Sequence, residues 1–439
     1  MSSASNRRVV VTGMGLISPL GNTPAELFEA LLAGRSGVAA FSSLSPKNLP
    51  TKIAAEATDF DGKIDGFGEL PPDVKKAIRK GLKVMCRETQ MGVAAAQRAI
   101  ADAGFAGSEL SPERIGCVFG SDYMLTEPDE FSDGIKACWD EQGVFQSGPW
   151  GDEGLRKMTP LWLLKYLPNM PGSHIAIFND LRGPSNSLTH REAASNLAIG
   201  EAFFTIQRDS ADLMVAGATG TRVHPMKAIH ASQSEQLAPG DGDPAQASRP
   251  FDKNRTGMVL GEGAGTVVLE ELASAQARGA KIYGEVLAAA SSTVADPNLI
   301  AHRDQALANA MRQVFRSAGI DPGDVGHIHA HGLSTTTSDR EEAQAIGEVF
   351  GAAAKSVPVV AAKANFGNLG AGSGAVEFIA SCMALAEGKL FPLLNYESAD
   401  DQCPIAPALS TSGPGDTFLN LSVTPQGQAA AVLVRRYAE

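Results

Sequence analysis

The chain is poor in cysteine, in aromatic side chains and in long apolar runs. Only five cysteines occur in 439 residues, and no two of them have the C-x-x-C spacing of many zinc and redox sites. An odd, scattered set argues against a disulfide framework and is typical of reduced thiols in a cytoplasmic protein. We therefore expect no metal site and a cytoplasmic location.

Two further shortages narrow the class of protein. No apolar run reaches the roughly 18 residues that a membrane span needs. Because the polar N-terminal stretch leads straight into a strand, we expect no signal peptide. The 37 basic residues are outnumbered by 49 acidic ones, which gives a net charge of −12. This balance argues against a general nucleic-acid binder and against an anionic-membrane binder.

Short apolar strands alternate with helical segments along the chain. Strand patterns occur at residues 7–21, 114–122, 211–220 and 263–272, and a helical pattern occupies 88–105. The same alternation resumes after residue 280, which predicts an α/β protein with buried, mostly parallel strands in two halves, 1–272 and 273–439. Residues 121–160 lack a clear period, so we expect an inserted cap or interface region there.

One junction breaks the apolar pattern. The stretch "GPSNSLTHREAASNLAIG", residues 183–200, predicts a turn, a short strand and an amphipathic helix. His190, Arg191 and Glu192 stand at the strand-to-helix junction, where the flanking segments predict burial.

Long stretches of the chain resemble the β-ketoacyl-acyl-carrier-protein synthases of the elongating type, which belong to the thiolase superfamily. The resemblance is carried by "RRVVVTGMGLISPLGNTPAELFEALLAGRSGV", "SRPFDKNRTGMVLGEGAGTVVLEELASAQARGAKIYGEV", "HAHGLSTTTSDREEAQAIGEVFG" and "FPLLNYESADDQCP". It implies a five-layer αβαβα thiolase fold built from two duplicated halves. It also implies a homodimer, or a heterodimer with a Cys-bearing ketosynthase, and acyl substrates on the phosphopantetheine arm of an acyl carrier protein, with no other cofactor.

The resemblance assigns site positions residue by residue. Members of this family place a nucleophilic Cys at a helix start after "GPS", and in this chain that position holds Glu192. The first family histidine falls on His331 and the family lysine on Lys363, whereas Asn368 stands where the second histidine is expected. The resemblance also implies four supporting positions. Asp339 and Glu342 fall where the family has acidic residues. Thr424 and Gly427 fall in the acyl-gate and oxyanion loop.

Glu in place of Cys changes the chemistry that the site can perform. A helix N-terminus and a nearby cation favour an ionised Glu192, whereas burial opposes it. We expect Lys363 and His331 as possible partners of Glu192, and an ion pair of Lys363 with Glu342 or Glu192. A carboxylate cannot replace a thiolate in two-step condensation, but His331 and Asn368 could still stabilise the enolate formed when a malonyl group loses carbon dioxide.

Three functions remain open on the sequence. The first is a chain-length-factor-like partner subunit, or a malonyl-carrier-protein decarboxylase, in fatty-acid or polyketide synthesis. The second is an acyl-transfer or acyl-thioester enzyme that uses Glu192 as acid or base. The third is a non-catalytic scaffold that binds acyl chains or carrier protein. Ser195 is a candidate replacement nucleophile, but its place on the helix predicts a packing role.

Overall fold

The computed structural model describes residues 7–438, apart from residues 44, 46, 48 and 106–109. Twelve strands occur in the described part of the chain. They are β1 (Val9–Ile17), β2 (Val38–Ala40), β3 (Ile53–Ala55), β4 (Ile115–Ser121), β5 (Ser185–Leu188), β6 (Leu213–Thr221), β7 (Leu260–Glu271), β8 (Gly284–Thr293), β9 (His327–His329), β10 (Val359–Val360), β11 (Thr417–Val423) and β12 (Gln428–Arg435).

Helices alternate with these strands, as the sequence pattern predicts. They are α1 (Pro24–Leu32), α2 (Pro72–Gly81), α3 (Arg87–Ala103), α4 (Pro128–Ala137), α5 (Trp162–Lys165), α6 (Met170–Asn179), α7 (Ala194–Gln207), α8 (Pro225–Ser234), α9 (Leu272–Ala277), α10 (Arg303–Ala318), α11 (Thr336–Phe350), α12 (Lys363–Phe366) and α13 (Ser373–Glu387).

The sheet contains the same five-strand pattern twice. From its outer edge inward, the first half runs β5-β4-β6-β7-β1 and the second runs β10-β9-β11-β12-β8, and the halves meet at the β1–β8 pair. In each half the three outer strands pair in parallel, and the other two pairings are antiparallel. The equal order and direction show the duplication that the resemblance implies, whereas the division at residue 272/273 stays a prediction.

Helices cover and separate the two halves of the sheet. Helix α3 packs on β1 and β7 on one outer face, and α10 packs on β8 and β12 on the opposite outer face. Helices α7 and α13 lie between the two halves. This gives the five layers of the predicted fold. The two largest apolar clusters fill the spaces beside α7 and α13 and beneath α10.

Helix α7 differs from the prediction of an amphipathic helix. Ten of its 14 residues are buried, because sheet strands of both halves pack against it. A helix that is enclosed by two sheets needs apolar or small side chains on nearly all sides.

The stretch that follows β4 contains α4 and several short helical turns, and its surface carries apolar side chains. Trp139 is 49% exposed and Leu161 66% exposed. Its role as a cap or an interface stays a prediction. No helix within the described ranges is long and apolar enough to cross a membrane.

Candidate active site around Glu192

Three strands of the first half end at the same place, and each is followed by a charged residue. Asp122 follows β4, Arg222 follows β6, and Glu192 lies four residues beyond the end of β5. Because β4, β5 and β6 are parallel neighbours, their carboxyl ends meet at one edge of the sheet. The topology therefore brings two carboxylates and a guanidinium together.

Glu192 is buried, and its carboxylate is held from two sides. Oε1 accepts a hydrogen bond from Arg222 Nη2 at 2.6 Å and another from Asn368 Nδ2 at 3.1 Å. Oε2 lies 3.5 Å from Arg191 Nε and has no hydrogen-bond partner among the described residues. Only 3% of the side chain is exposed, so the carboxylate fills its site rather than facing an open cleft.

Arg222 bridges the two carboxylates. Its Nη1 lies 2.8 Å from Asp122 Oδ2, and its side chain is 1% exposed. Burial acts to lower the pKa of Arg222, but Asp122 and Glu192 raise it above its usual value. A guanidinium suits this position because its planar fork can serve two carboxylates at once.

Glu192 is ionised in this setting. Burial acts to raise the pKa of its carboxyl group, but Arg222 and then Arg191 outweigh it, so the pKa lies well below its usual value. The expectation of an ionised Glu192 agrees with this, but the responsible cation is Arg222. Lys363 and His331, the expected partners, make no hydrogen bond to Glu192 within the described part of the chain.

The two residues before Glu192 have separate surroundings. Arg191 has φ of 47°, a left-handed conformation that is costly for a non-glycine residue, and it starts the short helical turn that precedes α7. Its guanidinium pairs with Glu192. His190 instead lies 3.3 Å from Gln428 through its Nδ1.

Asn368 is committed to local contacts. Its Nδ2 donates to Glu192 Oε1, and its Oδ1 accepts from Gly370 N at 3.0 Å and from Ser373 Oγ at 3.3 Å. The amide orientation follows from these partners, because a backbone N–H can only be met by the carbonyl oxygen. The second hydrogen of Nδ2 faces Met258 Sδ at 3.2 Å, so both amide hydrogens that could serve a thioester carbonyl have a partner.

The ion pair that Lys363 forms differs from the expected one. Its Nζ binds Glu377 Oε1 at 2.5 Å, rather than Glu342 or Glu192, and also donates to the His331 carbonyl at 2.8 Å. Nζ lies 3.3 Å from His331 Nδ1, so that the ring nitrogen accepts and Nε2 carries the proton. Burial and then Lys363 keep the pKa of His331 well below its usual value, and the ring is neutral.

Glu342 and Asp339 hold the loop after His331. Glu342 accepts the backbone N–H groups of His331 and Gly332 at 2.6 and 2.8 Å. Asp339 accepts those of Leu333 and Ser334 at 3.0 and 3.1 Å. Burial raises the pKa of Glu342 to about 7 and that of Asp339 to about 6, despite these donors.

Thr424 and Gly427 form the hairpin turn between β11 and β12. Gly427 N donates to Thr424 O at 3.0 Å, and Gly427 has φ of 80°, as in a type I turn followed by a glycine bulge. A Cβ on Gly427 would lie 2.5 Å from Val294 O. The turn is thus closed by its own hydrogen bonds, and a role as acyl gate stays a prediction.

Ser195 is fully buried, and its hydroxyl donates to the Ala371 carbonyl. This contact agrees with the packing role expected for it. No group of three or more His, Cys, Asp or Glu side chains in the described ranges is arranged to hold a metal ion.

The sequence reasoning missed Arg222, Asp122 and Glu377. The first two carry a usable signal, since each follows directly on a buried apolar strand. Glu377 lies inside the alanine-rich buried helix α13, and the sequence around it does not indicate which residue it pairs with. Its pairing with Lys363 depends on tertiary packing.

Two family models match the chain: "Beta-ketoacyl synthase, N-terminal domain" over residues 6–275 and "Beta-ketoacyl synthase, C-terminal domain" over residues 283–397. A 3-oxoacyl-[acyl-carrier-protein] synthase 2 of Synechocystis sp. is 33% identical over 406 residues, which cover 92% of each chain. Its counterpart in Coxiella burnetii is 34% identical over 409 residues, which cover 91% of each chain. The solved structure "The ishigamide ketosynthase/chain length factor" has 27% identity and a TM-score of 0.83, with 99% of this chain and 100% of that chain covered.

The duplicated five-layer fold, with its site at the ends of β4, β5 and β6, defines a ketosynthase-like protein of the thiolase superfamily. The chain belongs to the β-ketoacyl synthase family.

Proposed function

We propose that this chain is the partner subunit of a Cys-bearing ketosynthase in fatty-acid or polyketide synthesis, and that it carries no acyl group itself. The observation that supports this most strongly is the pair of hydrogen bonds from Arg222 and Asn368 to one oxygen of Glu192. The nucleophile position is occupied by a buried, ionised and partnered group.

The chemistry of a carboxylate supports the same function. An acyl group on Glu192 would be a mixed anhydride, which lies uphill from a thioester and would need the carboxylate to leave Arg222. Breaking a buried ion pair costs about 3–5 kcal/mol. Transfer from a carrier-protein thioester to Glu192 therefore has no source of driving force.

Decarboxylation of a malonyl group is the second candidate, and the site argues against it. Enolate stabilisation needs free donors aimed at the thioester oxygen. His331 Nε2–H is one donor, but the two amide hydrogens of Asn368 face Glu192 Oε1 at 3.1 Å and Met258 Sδ at 3.2 Å. Decarboxylation would require Asn368 to release one of these partners first.

Strand β5, at the outer edge of the first half of the sheet, supports the proposal of a partner subunit. Strand β5 pairs with β4 on one side, and the sheet order ends with it. A cavity of about 220 Å³ beside it is lined by Leu188, Leu197 and Phe204, among others, and Phe204 is 42% exposed. A second ketosynthase-type subunit that adds a strand here would satisfy the free backbone groups of β5 and cover this apolar surface.

The relatives suggest how such a pair works. One similar solved structure is described as a ketosynthase with a chain length factor, and the curated relatives are described as synthases that act on acyl-carrier-protein substrates. By that analogy we propose a heterodimer that receives acyl chains on the phosphopantetheine arm of a carrier protein, with condensation at the partner's Cys.

Co-expression tests this function. The tagged chain is produced with a Cys-bearing ketosynthase from the same genome, and the assembly is weighed by native mass spectrometry. Product from malonyl-carrier protein is followed in parallel. We expect a one-to-one pair that makes β-ketoacyl product, and no product from this chain alone.

Three outcomes would contradict the proposal. Release of carbon dioxide by the chain alone, lost in Asn368→Ala, would establish a decarboxylase. Transfer of an acyl group by the chain alone, lost in Glu192→Gln, would establish an acid–base enzyme. A stable chain that binds carrier protein but neither pairs nor turns over would establish a scaffold.

A further inference from the structure

Two histidines that the proposed site does not use are linked by a serine beneath it. His327 and His329 lie on β9, Ser381 lies on α13, and all three are fully buried. Ser381 Oγ is 3.1 Å from His327 Nε2 and 2.8 Å from His329 Nδ1.

Backbone groups fix the direction of this histidine–serine chain at both ends. His329 Nε2 is 3.2 Å from Ala362 N, a donor, so this ring nitrogen must accept and Nδ1 must carry the proton. His327 Nδ1 is 2.8 Å from Pro414 O, an acceptor, so this nitrogen must donate and Nε2 must accept. The two assignments agree, since Ser381 accepts from His329 and donates to His327.

One end of the histidine–serine chain lies directly beside the candidate site. Ala362 precedes Lys363, the first residue of α12, and His331 follows β9 by two residues. Ser381 lies one helical turn after Glu377, the partner of Lys363. The N–H of Ala362 is therefore fixed by the same strand and helix that hold His331 and Glu377.

We propose that His329 is a positioning residue: through the bond from Ala362 N, the histidine–serine chain holds the turn that presents Lys363 to His331. This inference does not rest on the partner-subunit function. It requires only that the chain of hydrogen bonds has one direction and that reversing it moves the turn.

Protonation shows why the direction matters. A proton on His329 Nε2 would set two donors, the imidazolium and Ala362 N, against each other. A proton on His327 Nε2 would leave the Ser381 hydroxyl hydrogen without an acceptor. Lys363, paired with Glu377, is the charged group that acts on His329, while Phe391 and Phe418 pack against the two rings. Burial lowers the pKa of His327 to about 4 and that of His329 well below its usual value.

Nitrogen-15 NMR on the full-length protein with labelled histidine tests the proposal. We expect both His327 and His329 as neutral Nδ1–H tautomers from pH 8 to pH 5.5. Finding either ring as the Nε2–H tautomer, or as imidazolium at pH 7, would overturn the proposal without any variant being made.

Variants then test the link to Lys363. A glutamine at position 329 places an acceptor near the Nε2 position, whereas an asparagine reaches only the Nδ1 position. We expect His329→Gln to keep the ring resonances of His331 and His329→Asn to shift them. Ser381→Ala should also shift them, and Cys382→Ala, which removes one buried heavy atom from the next residue of α13, should not. Equal spectra for His331 in His329→Asn, Ser381→Ala and the parent would overturn the proposal.

Discussion

The Glu192 carboxylate lies 2.6 Å from the Arg222 guanidinium, and both side chains are at most 3% exposed. A pair so far from solvent has lost the hydration of both ions, so each partner depends on the other. Asp122 shares the same guanidinium, so removal of Arg222 would leave two buried carboxylates.

Arg222→Met should therefore lower the free energy of unfolding by about 3–5 kcal/mol, because it leaves two buried carboxylates without their guanidinium partner. Urea unfolding at fixed protein concentration measures the loss. Arg208→Met is the matched control, since Arg208 pairs with Glu201 at the surface, with 52% and 37% of the side chains exposed. Its loss should stay within about 1 kcal/mol. Equal losses for the two variants would contradict a buried network.

A cysteine at position 192 would sit beside the same two arginines. We expect the thiol of Glu192→Cys to have a pKa below about 8.5, because Arg222 and Arg191 favour the thiolate. Alkylation by iodoacetamide between pH 6 and 8, mapped by mass spectrometry, measures this. The native cysteines provide the internal control, since burial raises the pKa of Cys117 and of Cys403 to about 12. Alkylation of position 192 only above pH 9 would show that the arginines do not act on it.

Glu342 should make stability fall as the pH rises. Burial raises its pKa to about 7 in the folded protein, whereas the unfolded chain releases this proton near pH of about 4.3. Its stabilising contribution is full below the unfolded value and is lost towards pH 7, by about 1.4 kcal/mol per pH unit. Relative to the parent, Glu342→Gln should thus gain stability between pH 5 and pH 7. A difference that does not change with pH would contradict the raised pKa.

The hairpin turn at Gly427 should not accept a side chain. Gly427 and Gly143 have similar positive φ values, 80° and 75°, but a Cβ would meet Val294 O at 2.5 Å in the first and nothing within 4 Å in the second. Gly427→Ala should therefore lower the melting temperature more than Gly143→Ala does, with an added cost of about 1–3 kcal/mol from overpacking. Equal melting temperatures would show that the turn can move away from β8.

Local pattern was enough to place most of the fold. The alternation of apolar strands and helices predicted the α/β layers, and the boundaries of α3 fall within two residues of the predicted segment 88–105. The pattern of α7 was misleading because its polar residues, such as Asn196, are satisfied inside the protein rather than by water.

The sequence predicted a candidate site residue only where a single segment resembles the family. Glu192 and Asn368 are selected by the resemblance of their own segments, and a hydrogen bond joins their side chains. The partner of Glu192 comes from a strand 30 residues away along the chain, and that of Lys363 from inside a buried helix. Such pairings depend on which strand ends become neighbours, which local pattern does not specify.

Turnover by the assembled pair tests the central claim, that Glu192 occupies the nucleophile position without taking part in chemistry. The measurement is β-ketoacyl product formed from malonyl-carrier protein by this chain with its Cys-bearing partner, for the parent and for Glu192→Gln. Both should give the same rate within about twofold, less than 0.5 kcal/mol in the activation free energy, while loss of the partner's Cys should abolish product. A drop of a hundredfold or more in Glu192→Gln, in a pair that still assembles, would contradict the account.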